Sequence, residues 1–262
     1  MKLTSANVNV LIKACRKASK TLIRDFGEIE KLQVSLKGPG DFVTASDKKV
    51  EKILIEELQK ARPDYGILSE EKGKIENKES EFKWIIDPID GTTNYMHGIP
   101  HFAISIGLEK KNEIICGIIF DPIKNELFAA EKGNGSYMNN QRIRVSSRTN
   151  LKEAMIFCGG PKFKTKNKDI VHEEYGKVSE EVFTSPRKLG SAALNMAYVA
   201  AGRCDGYFER NLNYWDIAAG IIIIKEAGGY VTDFYEKNNY LSNKTLVAGN
   251  SKIHRELISI LA

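Results

Sequence analysis

The run Trp84-Ile85-Ile86-Asp87-Pro88-Ile89-Asp90-Gly91-Thr92-Thr93-Asn94 places two carboxylates three residues apart, directly after an apolar, strand-like stretch. Pro88 stiffens the path between the acids and Gly91 permits a tight turn after them. Taken alone, Asp-Pro-x-Asp more often opens a helix or a turn than it performs chemistry. The Gly91-Thr92-Thr93 that follows changes that weighting, because a glycine turn and two hydroxyls offer N–H and O–H donors to a phosphate beside the acids. Cation ligands next to an anion cradle are the ingredients of metal-assisted phosphoryl chemistry.

Two further acidic segments stand at comparable positions. Ser69-Glu70-Glu71 closes the apolar run Tyr65-Gly66-Ile67-Leu68, where an isolated acidic pair is usually a solvated turn. Asp216 lies at the start of a strongly apolar helix, facing the positive end of the helix dipole, and a simple helix cap accounts for it equally well. Together Glu70, Asp87, Asp90 and Asp216 form a hard-oxygen set of the kind Mg²⁺ prefers, with enough negative charge for two or more divalent ions. His97 and His101 follow the motif closely but are expected to pack or to sit in a loop rather than to accept phosphate.

The elements that must position these residues follow from periodicity. Val8, Leu11, Ile12, Cys15, Ala18, Leu22 and Phe26 make one apolar stripe, predicting a helix over about Ser5 to Glu30. A second helix is expected to begin near Thr44 or Ser46, with Asp47 in its first turn, and to stop before Pro63. Lys37-Gly38-Pro39-Gly40 between them reads as a mobile surface loop. From Tyr65 to about Val145 short β-rich runs at Tyr65–Leu68, Lys83–Ile86, Phe102–Leu108, Ile114–Phe120 and Leu127–Ala130 predict an antiparallel sheet. The last third alternates: strands near Met155–Cys158, Gly206–Glu209, Tyr230–Asp233 and Leu246–Ala248, and helices near Glu173–Glu180, Ser191–Ala201, Trp215–Ala227 and after Ser251. Ile217–Ile224 is apolar all round, which requires a helix covered on every side. The expected class is α+β or a layered α/β sandwich.

The 262 residues, 42% of them hydrophobic, suffice for one domain over 1–262, expected as two closely packed lobes meeting near 148–153. No apolar run approaches the roughly 20 residues of a membrane-spanning helix, and a cytoplasmic location is expected. Cys15, Cys116, Cys158 and Cys204 are scattered and suggest neither a zinc site nor a disulfide framework. A net charge of +5, with both signs interspersed, suits an anionic substrate without requiring nucleic acid.

Asp87-Pro88-Ile89-Asp90-Gly91-Thr92-Thr93-Asn94 resembles, without a gap, a signature of the inositol monophosphatase family. A second family signature is matched by Trp215-Asp216-Ile217-Ala218-Ala219-Gly220 through Glu226-Ala227-Gly228-Gly229. Asp41-Phe42-Val43-Thr44-Ala45-Ser46-Asp47, Glu70-Glu71 and Gly190-Ser191-Ala192-Ala193-Leu194 match in family order over most of the chain. The resemblance implies a layered α-β-α-β-α sandwich of sugar-phosphatase type, a homodimer, lithium sensitivity, and two or three Mg²⁺ per active site. By the same resemblance Glu70, Asp87 and the Ile89 carbonyl hold one Mg²⁺, and Asp87, Asp90 and Asp216 a second. Gly91 and Thr92 then contact phosphate, Thr92 with Glu70 activates the attacking water, and Asp47 supports Thr92 from behind. Lys37 and Glu71 resemble accessory positions near the metals. Glu209 matches a contact to a ring hydroxyl, and Ser191, Ala192 and Asp216 line the substrate pocket.

The implied reaction is hydrolysis of inositol 1-phosphate, a small phosphorylated polyol, by in-line attack of water. Related folds act on fructose 1,6-bisphosphate, 3′-phosphoadenosine 5′-phosphate, histidinol phosphate or NADP, and the motifs specify phosphate better than they specify the alcohol. Ser69 stands where a glycine is frequent, and Pro161–Val171, with Lys162, Lys164, Lys166 and Lys168, has no clear counterpart and reads as a solvated loop. Some bacterial relatives resemble transcription or RNA-processing accessories, and Arg203, Arg210 and these lysines could supply cationic contacts, although no RNA-binding motif is present.

Overall fold

The computed structural model describes residues 5–28, 34–38, 41–77, 80–161 and 168–262. The apolar stripe at the start becomes α1 (Ala6–Phe26), capped by Ser5, whose hydroxyl accepts from the Val8 N–H. A hairpin of β1 (Val34–Gly38) and β2 (Asp41–Thr44) leads into α2 (Ala45–Ala61). Lys37 and Gly38 therefore end a strand where a loop was expected; the Lys37 side chain and Pro39-Gly40 lie outside the described residues.

The chain then forms β3 (Gly66–Ser69), β4 (Gly73–Ile75), β5 (Phe82–Asp90), the short α3 (Thr92–Met96), β6 (Ala103–Lys110), β7 (Glu113–Asp121), β8 (Glu126–Glu131), β9 (Gly135–Met138) and β10 (Gln141–Ile143). Eight of these strands make one sheet in the order β10-β9-β8-β7-β6-β5-β3-β4. It is antiparallel throughout except that β3 runs parallel to β5, an arrangement the expectation of a purely antiparallel sheet did not include. Next come β11 (Ile156–Cys158), α4 (Lys168–Glu181), α5 (Ala192–Ala200), β12 (Gly206–Arg210), α6 (Tyr214–Glu226), β13 (Tyr230–Thr232), α7 (Tyr240–Asn243), β14 (Thr245–Gly249) and α8 (Ser251–Leu261). The second sheet has the order β11-β12-β14-β13. The expected solvated loop is helical from Lys168, and Val171 is buried, while Lys162, Lys164 and Lys166 lie outside the described residues.

Five layers result. One face of the large sheet packs on α1 and α2 through Trp84, Ile86, Ile104 and Ile106, with Leu11, Leu22, Leu54 and Leu58. Its other face contributes Ile85, Ala103, Ile119 and Phe128 to a core shared with α5, α6 and the small sheet. The far face of the small sheet is covered by α4 and α8, through Phe208, Val247, Val178, Ile253 and Leu257. This is the α-β-α-β-α sandwich expected. It explains α6, whose eight residues from Ile217 to Ile224 are all buried because sheets lie on both sides of it. No helix among the described residues is long and apolar enough to cross a membrane.

Candidate active site

The acids of β5 owe their arrangement to an irregularity. Residues three apart on a regular strand point to opposite faces. Here Asp87 pairs with Ser105 and Asp90 with Ala103, so three steps on β5 oppose two on β6, and the extra residue is a bulge around Pro88 and Ile89. Both carboxylates therefore stand opposite residues of one β6 face, the face turned to α5 and α6. The Ile89 N–H donates to Asp87 Oδ1 at 3.0 Å, closing the bulge locally. The strand thus continues through both acids instead of ending before them.

Gly91 makes the turn into α3 at a φ of +96°, a left-handed value that a side-chain-bearing residue adopts at a cost of roughly 1–2 kcal/mol. A Cβ there would also lie 3.1 Å from the His101 carbonyl oxygen and 3.3 Å from that of Gly190. Gly91→Ala is expected to lower the denaturant midpoint and to reduce turnover by roughly 10²-fold through misplacement of Thr92. An unchanged midpoint and rate would show that the turn tolerates a side chain. Past this turn, Asn94 donates from its amide nitrogen to the His101 and Leu189 carbonyls, both at 2.8 Å, and so ties the motif to the segment ahead of α5.

That tie brings the α5 N-terminus to Asp90. Ser191 caps the helix, accepting from the Leu194 N–H at 3.2 Å, and its hydroxyl donates to Asp90 Oδ2, as does the Ala193 N–H at 2.7 Å. Ser191 and its neighbours thus touch a proposed metal acid. At α6, Asp216 accepts from the Asn213 N–H at 2.7 Å in a capping box, so the cap that explained Asp216 from sequence is real, and it holds the acid at the site.

Asp47, 1% exposed, sits behind Thr92. It accepts from the Thr44 N–H at 2.7 Å and the Thr44 hydroxyl at 2.5 Å, while the Thr92 hydroxyl is shared between Asp47 Oδ1 at 3.4 Å and the Ile89 carbonyl at 2.9 Å. Glu70 follows β3, its N–H donating to the Ile86 carbonyl at 3.2 Å. The next N–H groups, of Glu71 and Lys72, donate to Glu51 at 3.0 and 3.2 Å. Glu51 was missed from the sequence; its signal was a carboxylate within the buried stripe of α2, where it is 1% exposed.

The acids act on one another electrostatically. Burial raises the Asp87 carboxyl well above the usual carboxylate range, and Glu70, Asp90, Asp216 and Asp47 add to the shift. Asp90 is pushed up to about 7 by desolvation, with Glu209 adding to it and the Ser191 and Ala193 donors opposing it. Asp47 is pushed up to about 6 by burial, partly offset by Thr44, with Glu70 and Glu71 raising it further. The charges of Glu70, Asp90, Asp216 and Asp47 thus all bear on Asp87, with Ser191 hydrogen-bonded to Asp90 and Thr92 to Asp47. Among the described residues no three His, Cys, Asp or Glu side chains are grouped closely enough, as they stand, to enclose a metal ion. Like charges favour separation, and Asp90 and Asp216 each point one oxygen at the protein's own N–H groups. In donor chemistry and charge the cluster fits hard divalent cations, without being a preformed cage.

Glu209 lies at the end of β12 and reaches this cluster electrostatically through Asp90. The imidazole of His101 packs edge-on to Tyr198, as its packing role requires.

The chain matches the model of the inositol monophosphatase family over residues 5–262. It is 49% identical to the inositol-1-monophosphatase of Mesorhizobium japonicum over 97% of this chain and 95% of that one. It is 40% identical to the Nus factor SuhB of Pasteurella multocida, over 96% and 94% of the two chains. The crystal structure of the extragenic suppressor protein SuhB from Bartonella henselae superposes with a TM-score of 0.95 at 47% identity, covering 98% of each chain. A match of this length and closeness makes the chain a member of the inositol monophosphatase family.

Proposed function

We propose that the protein is a Mg²⁺-dependent phosphomonoesterase that hydrolyses inositol 1-phosphate to inositol and phosphate. One observation carries this reading: the buried Asp87 carboxylate feels the charges of Glu70, Asp90, Asp216 and Asp47, just ahead of the turn where Gly91 opens α3. Relatives named inositol-1-monophosphatase support the substrate.

Glu70, Asp87, the Ile89 carbonyl, Asp90 and Asp216 are the groups that would hold the ions. Bound there, Mg²⁺ supplies Lewis acidity and neutralises charge at the phosphoryl group. The chain's own residues do the rest. Gly91 and Thr92 present N–H groups, which lack intrahelical partners at a helix start, to the phosphate oxygens. Thr92, oriented by Asp47, and Glu70 align the attacking water and take its proton. Glu209 accepts a hydrogen bond from a substrate hydroxyl, with Ala192 and Ser191 on the neighbouring wall. Lys37 and Glu71 are accessory to the site. The chain is further read as a cytoplasmic homodimer that Li⁺ inhibits.

Phosphate release should be measured with Mg²⁺ on inositol 1-phosphate, fructose 1,6-bisphosphate, 3′-phosphoadenosine 5′-phosphate, histidinol phosphate and NADP. The highest kcat/KM is expected on inositol 1-phosphate. A value more than about tenfold higher on a nucleotide would reassign the substrate.

Relatives named Nus factor SuhB favour a second reading, a role beside the transcription machinery. Binding of RNA by this chain would weaken steeply with salt and persist in Asp90→Asn. Loss of binding with loss of the acid would tie any such contact to the phosphatase site.

A further inference from the structure

Glu209 is held by two residues that the sequence did not single out. Tyr207 and Glu209 are two apart on β12, so their side chains leave one face of the strand, and Tyr207 lies in the core formed with α5 and α6. Phe208 between them points to the opposite core, under α4 and α8. Tyr207 is wholly buried, and its hydroxyl donates to Glu209 Oε2. Burial first, then the carboxylate of Glu209 and those of Asp90 and Asp216, pushes this phenol well above its ordinary pKa, so the O–H is retained as a donor.

From the other side comes Gly159, directly after β11, its N–H donating to the Phe208 carbonyl at 3.2 Å. A Cβ on Gly159 would fall 2.0 Å from Cδ, 2.2 Å from Cγ and 2.3 Å from Oε1 of Glu209. No side chain fits there while Glu209 keeps its place. The Glu209 carboxylate thus lies across a bare Cα, with Oε2 fixed by a phenol.

We propose that Tyr207 and Gly159 are positioning residues that fix Glu209 as an acceptor for a substrate hydroxyl, and thereby select polyhydroxylated phosphate esters over esters lacking that hydroxyl. This rests on the reading of Glu209 as the hydroxyl contact. An ionised carboxylate accepts hydrogen bonds and donates none, so it rewards a hydroxyl and opposes a second anionic group. The phenol cannot wander because it is enclosed, and the carboxylate cannot tilt away from it without leaving its seat on Gly159.

The test compares kcat and KM on inositol 1-phosphate and on cyclohexyl phosphate, which has the same ring and no hydroxyls. Tyr207→Phe and Gly159→Ala are each expected to lower kcat/KM on inositol 1-phosphate by about 10- to 100-fold, mostly through KM, and to change cyclohexyl phosphate by less than about 2-fold. In a Glu209→Ala background neither substitution should have a further effect on inositol 1-phosphate. Gly159→Ala is the safer variant for folding, since the atoms nearest its new methyl belong to the Glu209 side chain and not to the backbone; it decides the matter if Tyr207→Phe does not fold. Equal losses on both esters, or an unchanged KM on inositol 1-phosphate, would overturn the positioning role. Wild-type protein that hydrolyses neither ester would overturn the reading of inositol 1-phosphate as substrate, and this inference with it.

Discussion

Asp90→Asn is expected to lower kcat/KM for inositol 1-phosphate on the order of 10³-fold, while the protein still folds. Asp90 stands opposite Ala103 at the end of the β5 bulge, with Oδ2 directed at Ser191 and the Ala193 N–H. The substitution removes one negative charge from a cluster whose charge is its means of attracting divalent cations. It also turns an acceptor-only group into one that presents an amide to two donors. The metal-free fold is relieved of repulsion by the same change, so the denaturation midpoint should fall little or rise. A collapse of stability alongside activity would show that Asp90 is chiefly structural.

The second large effect is on how Mg²⁺ stabilises the protein at different pH. Asp47 and Asp90 titrate near 6 and 7 in the fold, above the ordinary carboxylate value near 4. Between about pH 4 and 7 the metal-free fold therefore binds more protons than the unfolded chain, and its stability falls as pH rises through that window. A bound divalent cation cancels this penalty and competes with the protons. At about 100 times its Kd, Mg²⁺ should raise Tm by about 5–10 °C at pH 8, and by much less at pH 5.5. Two histidines, the half-buried His101 and the buried His254, act in the opposite sense. Burial pulls His101 down to about 4 and also lowers His254, so their contribution is lost as pH falls from the unfolded value near 6.5. Neither is among the residues that would hold the metal, so the difference between Tm with and without Mg²⁺ reads chiefly the acids. An increment independent of pH would show that the titrating carboxylates are not where the cation binds.

Much of this architecture was legible in the chain because burial has a period. The α1 stripe, the Thr44 cap with Asp47 three residues on, and the all-apolar Ile217–Ile224 each predicted an element that the structure contains. What was not legible depends on pairing between distant residues. The β5 bulge exists only in register with β6, and nothing in Asp-Pro-Ile-Asp says that Asp87 and Asp90 will share a face. The parallel β3 is likewise a fact of neighbours, because a strand carries no mark of its partner's direction. Lys37 and Gly38 were read as loop from their glycine and proline content, yet a hairpin strand tolerates glycine at its end. Within the site, the acids announced themselves by type and spacing. Glu51, Tyr207 and Gly159 did not, since a buried carboxylate, a strand tyrosine and a glycine acquire meaning only from what they touch.

The most direct measurement is phosphate release from inositol 1-phosphate by metal-stripped protein, followed as Mg²⁺ is restored. Turnover that is absent in chelator, returns saturably with Mg²⁺, and fails to return in Asp90→Asn is the predicted result. Turnover that is undiminished by thorough chelation, or that Mg²⁺ restores equally in Asp90→Asn, would contradict a phosphatase built on the cluster around Asp87.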